Sequence, residues 1–161
     1  MRFFVWLSIL VLLAGAGGCN RNKPKPSVTP PAAALQTLRT LFPTANADSA
    51  RWELSKKGVY EAHFRLNGLH HKLRTDSVGR HRETEINVAR RALPAAVQDT
   101  LQAHYDRHRD PKIYRVRAVS IVQFADGHTE YEAQVRVAGK WRKRYYDDQG
   151  RLLREEKAKK G

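Results

Sequence analysis

The chain has 161 residues, with 30 Lys and Arg against 16 Asp and Glu, and a single cysteine. A hydrophobic content of 41% supports a packed core and excludes wholesale disorder, while one cysteine excludes an internal disulfide framework or a Cys-cluster zinc site. The formal net charge of +14 implies attraction to anions, and the lack of a long apolar run beyond the first twenty residues excludes a polytopic membrane protein.

Residues 1–18 combine a charged start at Arg2, an apolar run from Phe3 to Ala14 and the small residues Gly15 to Gly18. That is the layout of a secretory signal. Small residues directly before the lone Cys19 resemble the lipobox of bacterial lipoproteins, although Ala16 stands where that pattern usually has Leu. The resemblance implies lipidation of Cys19, a membrane hold through that N-terminal lipid, and a place in the bacterial cell envelope, periplasmic or cell-surface. A plain N-terminal anchor, or a secreted chain cut near Gly17, are the alternatives. Residues 19–30 include Lys23-Pro24-Lys25-Pro26, a composition that buries nothing and favours extended polyproline II, so they read as a tether.

The rest reads as a tandem repeat. Residues 31–42 and 94–105 share five of twelve positions, and residues 60–85 and 131–156 share ten of twenty-six without a gap. These matches define copies at 31–86 and 94–156, a connector at 87–93 and a charged tail at 157–161. In each copy a proline (Pro31, Pro94) starts a short helix, in which Ala34, Leu38, Leu41 and Ala45, or Val97, Leu101, His104, Tyr105 and His108, recur at helical spacing. Alternating strands follow: Trp52 and Leu54, then Tyr60, Ala62, Phe64 and Leu66; and Tyr114 to Phe124, then Tyr131, Ala133, Val135 and Val137. Turns fall at Lys57-Gly58, Asn67-Gly68, Asp126-Gly127 and Ala138-Gly139, and the last turns run Asp76 to Gly79 and Asp147 to Gly150. The expected fold class is therefore α+β, a tandem repeat of a short helix packed on a four-stranded antiparallel sheet.

The Pro-Ala-Ala helix start, Tyr-Glu-Ala with alternating apolars, and the closing Asp-x-x-Gly hairpin together resemble the PepSY-like, β-lactamase-inhibitor-like family. The resemblance covers both copies. It implies tandem helix-plus-sheet units in the periplasm or on the cell surface, often as lipoproteins, and implies no catalysis.

Catalytic signatures are absent: there is no Gly-x-Ser-x-Gly, phosphate loop or His-Glu-x-x-His. No catalytic residue, cofactor or metal is expected. His104 and His108, one helical turn apart, lack an evident third ligand; His70 and His71 would point to opposite faces of a strand; Asp147 and Asp148 fit a turn. One strand departs from its counterpart. Where the first copy has Leu69-His-His-Lys-Leu, the second has Lys140 followed by Trp141, Arg142, Lys143, Arg144 and Tyr145. Cations beside aromatics suit phosphate or carboxylate, so Trp141 to Tyr145 are the candidate partner-binding residues. The reading is a non-catalytic envelope lipoprotein that docks on another envelope protein, inhibition being one form of docking. The alternative is a binder of anionic envelope polymers or lipid headgroups; nucleic acid is the least favoured anion, since exported proteins seldom meet it.

Mass spectrometry of the protein recovered from membranes is expected to show an acylated N-terminal Cys19, and Cys19→Ser is expected to release or misprocess it; an unmodified Cys19 thiol overturns the expectation.

Overall fold

The structure, a computed structural model, describes residues 27–110 and 112–158. The leader, Cys19 and residues 19–26 of the tether lie outside the described residues. Helix α1 (Ala32–Leu41) is followed by strands β1 (Arg51–Leu54), β2 (Tyr60–Leu66), β3 (Leu69–Thr75) and β4 (His81–Val88). Helix α2 (Ala95–His108) precedes β5 (Tyr114–Phe124), β6 (Thr129–Val137), β7 (Lys140–Tyr146) and β8 (Leu152–Lys157).

The expected tandem repeat of a helix on its own four-stranded sheet is corrected here. All eight strands form one antiparallel sheet in the order β1 to β8. The reason lies at the middle: β4 pairs with β5 from Glu83 opposite Phe124 to Val88 opposite Val119. Separate sheets would leave two edge strands with unpaired backbone donors and acceptors, and the ladder satisfies both. It also sets the faces. Phe64, His71, Ile86, Ile121, Tyr131 and Tyr146 stand opposite one another in turn across six strands, so they share one side of the sheet.

Both helices cover that side. Pro31 and Pro94 cap α1 and α2 from the position just before the first helical residue. Ala34 and Leu38 of α1 pack with Trp52, Ala62, Phe64 and Leu73; Val97 and Leu101 of α2 pack with Tyr114, Val119, Ala133, Val135 and Tyr146. Leu41 and Tyr105, expected inside, are 44% and 45% exposed, because these helices bury only a narrow stripe. The chain enters along the sheet edge, where the Val28 amide donates to the Trp52 carbonyl (2.9 Å).

Two turns lock the sheet to the helices. Gly79 after β3 and Gly150 after β7 have φ of +81° and +74°. A Cβ on Gly79 would lie 2.6 Å from the Ala33 carbonyl oxygen, and one on Gly150 would strike the Ala96 carbonyl and sit 2.7 Å from Thr100 Oγ1. The Thr37 and Thr100 hydroxyls donate to the Gly79 and Gly150 carbonyls at 2.6 and 3.1 Å. Only a residue without a side chain allows this approach. Gly150→Ala is expected to destabilise the fold by about 2–3 kcal/mol, against about 1 kcal/mol for Gly127→Ala, whose turn is open to solvent; denaturant midpoints decide the comparison.

Candidate functional site

Among the described residues no element covers the opposite side of the sheet. Alternation places every second residue of each strand there, and those residues are mostly charged. Their order follows from the register. Glu53, Glu61, Arg74, Glu83 and Phe124 form one row across β1 to β5. The next holds His63, Lys72, Glu85, Val122 and Glu130; another holds Asn87, Ser120, Glu132, Tyr145 and Arg154. A cleft of about 500 Å³ runs over this face, bordered by Lys72, Arg74, Arg117, Lys143, Tyr145 and Arg154 among others.

Carboxylates on this face are deeply set: Glu132 is 2% exposed and Glu85 6%. A charge so placed needs a partner, because desolvation otherwise drives it to neutralise. Lys143 Nζ donates to Glu132 (2.7 Å), Arg51 pairs with Glu53 (2.6 Å), and Lys72 pairs with Glu85. Arg74 bridges Glu61 (3.2 Å) and Glu83, while Arg154 reaches Glu130 and Glu156. The result is a lattice of alternating charge. Burial pushes the Glu85 carboxyl upward, yet Lys72, Lys143 and Arg74 outweigh it and hold it below its ordinary 4.5.

The fold also gathers three groups that the sequence reading did not join: Glu53, Glu61 and His63 bring ligand-type atoms within 4.8 Å of one another. Arg51 and Arg74 already neutralise the two carboxylates, so the set is a node of the lattice. Burial lowers the His63 pKa below 6.5, with Glu53 opposing, and lowers those of His70, His81 and His104 as well. His104 and His108 stack on Tyr114, at 5.7 and 6.3 Å between ring centres. His70 and His71 do point to opposite sides, His70 against His63 and His71 against Phe64. Asp147 closes its turn by accepting from the Gln149 and Arg151 amides.

The candidate strand is divided by its pleat. Trp141, Lys143 and Tyr145 lie on the open face; Arg142 and Arg144, opposite Val135 and Ala133, lie on the helix side. There both arginines face Glu155, at 3.6 and 2.7 Å. Tyr145 is buried beneath the Arg154 guanidinium, 3.7 Å from its ring centre, and burial together with Glu132 pushes its phenol pKa up. Trp141 is capped by Arg117 at 4.6 Å. Sequence reasoning missed Arg117, Arg154, Glu85 and Glu132; the polar half of the period-two pattern in β4, β5, β6 and β8 was the available signal.

The solved structures similar to this chain share its fold. No protein-family model and no curated protein matches the sequence. Among solved structures, the chain is similar to a DUF2874 family protein of Bacteroides ovatus (TM-score 0.67, 22% identity, 81% of this chain and 89% of that one). It is also similar to a candidate periplasmic protein of Bacteroides eggerthii (0.68, 20%, 81% and 90%) and to a BLIP-like protein of Bacteroides fragilis (0.64, 26%, 83% and 91%). The chain therefore has a BLIP-like fold.

Lys143→Met leaves Glu132 buried without its cation and is expected to cost about 3 kcal/mol in chemical denaturation. Acid should weaken the fold in two stages. Histidines whose folded pKa lies below 6.5 favour folding above that pH, and that contribution is lost as pH falls through their folded values. Glu85, held below 4.5, contributes above 4.5 and loses that contribution at still lower pH. Urea midpoints at pH 7.5, 5.5 and 3.5 are expected to fall in that order.

Proposed function

We propose that the protein is a non-catalytic binding module of the cell envelope that docks its open sheet face on another periplasmic or surface protein. The carrying observation is an uncovered face on which aromatic rings are pinned by guanidinium groups, Trp141 by Arg117 and Tyr145 by Arg154. Trp, Tyr and Arg held in place lose little side-chain freedom on binding, which is why they dominate protein interfaces. The ion-pair lattice around them pre-organises the surface. The BLIP-like and periplasmic descriptions of the similar structures support the reading, as does the PepSY-like turn grammar, and a lipid on Cys19 would hold the module at a membrane.

The polymer-binding alternative fits this face poorly, because carboxylates interrupt its cations at nearly every step. Of the proposed partner-binding strand, Trp141, Lys143 and Tyr145 serve the face directly, while Arg142 and Arg144 brace β8 through Glu155.

The test is photocross-linking in intact cells from a diazirine side chain at Phe124 or Glu156 on the open face, with Tyr105 on the exposed side of α2 as control. A discrete protein adduct from the open-face positions and none from Tyr105 is expected. Equal yields from both sides, or no adduct at all, overturn the proposal.

A further inference from the structure

We infer that Arg115, Arg117 and Arg136, gathered around Trp141, form a carboxylate-binding patch that receives a short acidic segment of the partner protein; the inference rests on the docking reading above. Arg115 stands opposite Arg136, and Arg136 opposite Trp141, so the three form one transverse row on the open face. Arg117 is added to that row by a bulge: the register shifts between Val116 and Ala118, which leaves Arg117 as the extra residue. Bulges re-aim side chains, and this one lays the Arg117 guanidinium over the Trp141 ring while Nη2 donates to Gln134 Oε1 (2.7 Å).

Elsewhere on this face Arg51, Lys72, Arg74, Lys143 and Arg154 each pair with a carboxylate, while Arg65, at the far end of β2, donates to the Gly68 carbonyl. Here three arginines carry no ion pair among the described residues, and Arg136 Nε is buried without a hydrogen-bond partner. Like charges directly opposite on a sheet are destabilising, so the fold gains nothing from setting Arg115 against Arg136. An incoming carboxylate would relieve that repulsion and match the planar fork of each guanidinium, with the indole supplying apolar contact beside it.

The charge pattern around the patch selects the partner class. Glu156 lies on the next row and Glu132 on the row beyond it, in the path of anything longer than the patch itself. A continuous polyanion or a charged bilayer would meet those carboxylates, whereas a few acidic residues within an otherwise neutral protein surface would not.

The experiment uses the full chain and three probes: in mild non-ionic detergent, a fluorescein-labelled Glu-Phe-Glu-Glu-Phe-Glu peptide and its Gln counterpart, and, after detergent removal, vesicles of phosphatidylcholine with phosphatidylglycerol. Binding of the acidic peptide is expected to be at least about tenfold tighter than that of the Gln peptide and to weaken as salt is raised. The Arg115→Gln, Arg117→Gln, Arg136→Gln triple variant should lose about tenfold or more. Single Arg115→Gln and Arg117→Gln variants, both at exposed positions, should each lose a part of it with unchanged melting. Equal peptide binding by wild type and variants overturns the patch, as does vesicle binding through these arginines without peptide binding. If the open-face cross-link persists at wild-type yield in the triple variant, the patch falls while the docking face stands. If no open-face cross-link forms yet the peptide still binds through the arginines, the docking face falls and the patch stands.

Discussion

The ladder between β4 and β5 is the contact on which everything else rests. A helix and a short meander of about 60 residues bury too little apolar surface to be secure alone, and each of the two helix-covered cores here is modest. Backbone pairing from Glu83 to Val88 joins them without requiring the cores to merge. The same pairing carries the two faces through the middle of the molecule, so that one side is apolar beneath both helices and the other is charged from β1 to β8.

Net charge is a poor guide to how that charge is used. The sum of +14 suggests a uniformly attractive surface, but on the open face cations and carboxylates alternate, and burial forces each deep carboxylate to keep its cation. Lys143 illustrates the point. It reads in sequence as a partner-seeking cation, yet in the fold it neutralises Glu132. Removing such a residue tests stability before it tests binding, whereas Arg117, held by an aromatic ring and an amide, is free of that duty.

Much of the local structure was legible in the sequence. Alternation in Tyr60 to Leu66 and Thr129 to Val137, the Asn67-Gly68 and Ala138-Gly139 turns, and proline at both helix starts each reflect short-range chemistry, and each element is present. What alternation does not encode is which strand lies beside which. The join at β4 and β5 depends on pairing between residues 83–88 and 119–124, and hydrogen bonds between backbones leave no trace in residue type. The same limit applied to the candidate strand: the opposed faces of Trp141 and Arg142 were readable from period two, but Glu132, Glu155 and Arg154, the residues that occupy them, come from other strands. Arg117 was hidden for a different reason, since a bulge breaks the very period by which faces are assigned.

The entry of the chain beside β1 sets which edge of the sheet an upstream segment leads to. Val28 donates to Trp52 at the outer edge of the sheet, so any attachment upstream grips the protein by that edge. Strands are spaced about 4.8 Å apart, which puts β7, with Trp141, six spacings or about 29 Å away. For any such attachment the sheet would act as an outrigger: its arginine-rich end lies clear of the gripped edge, at a reach set by the number of strands.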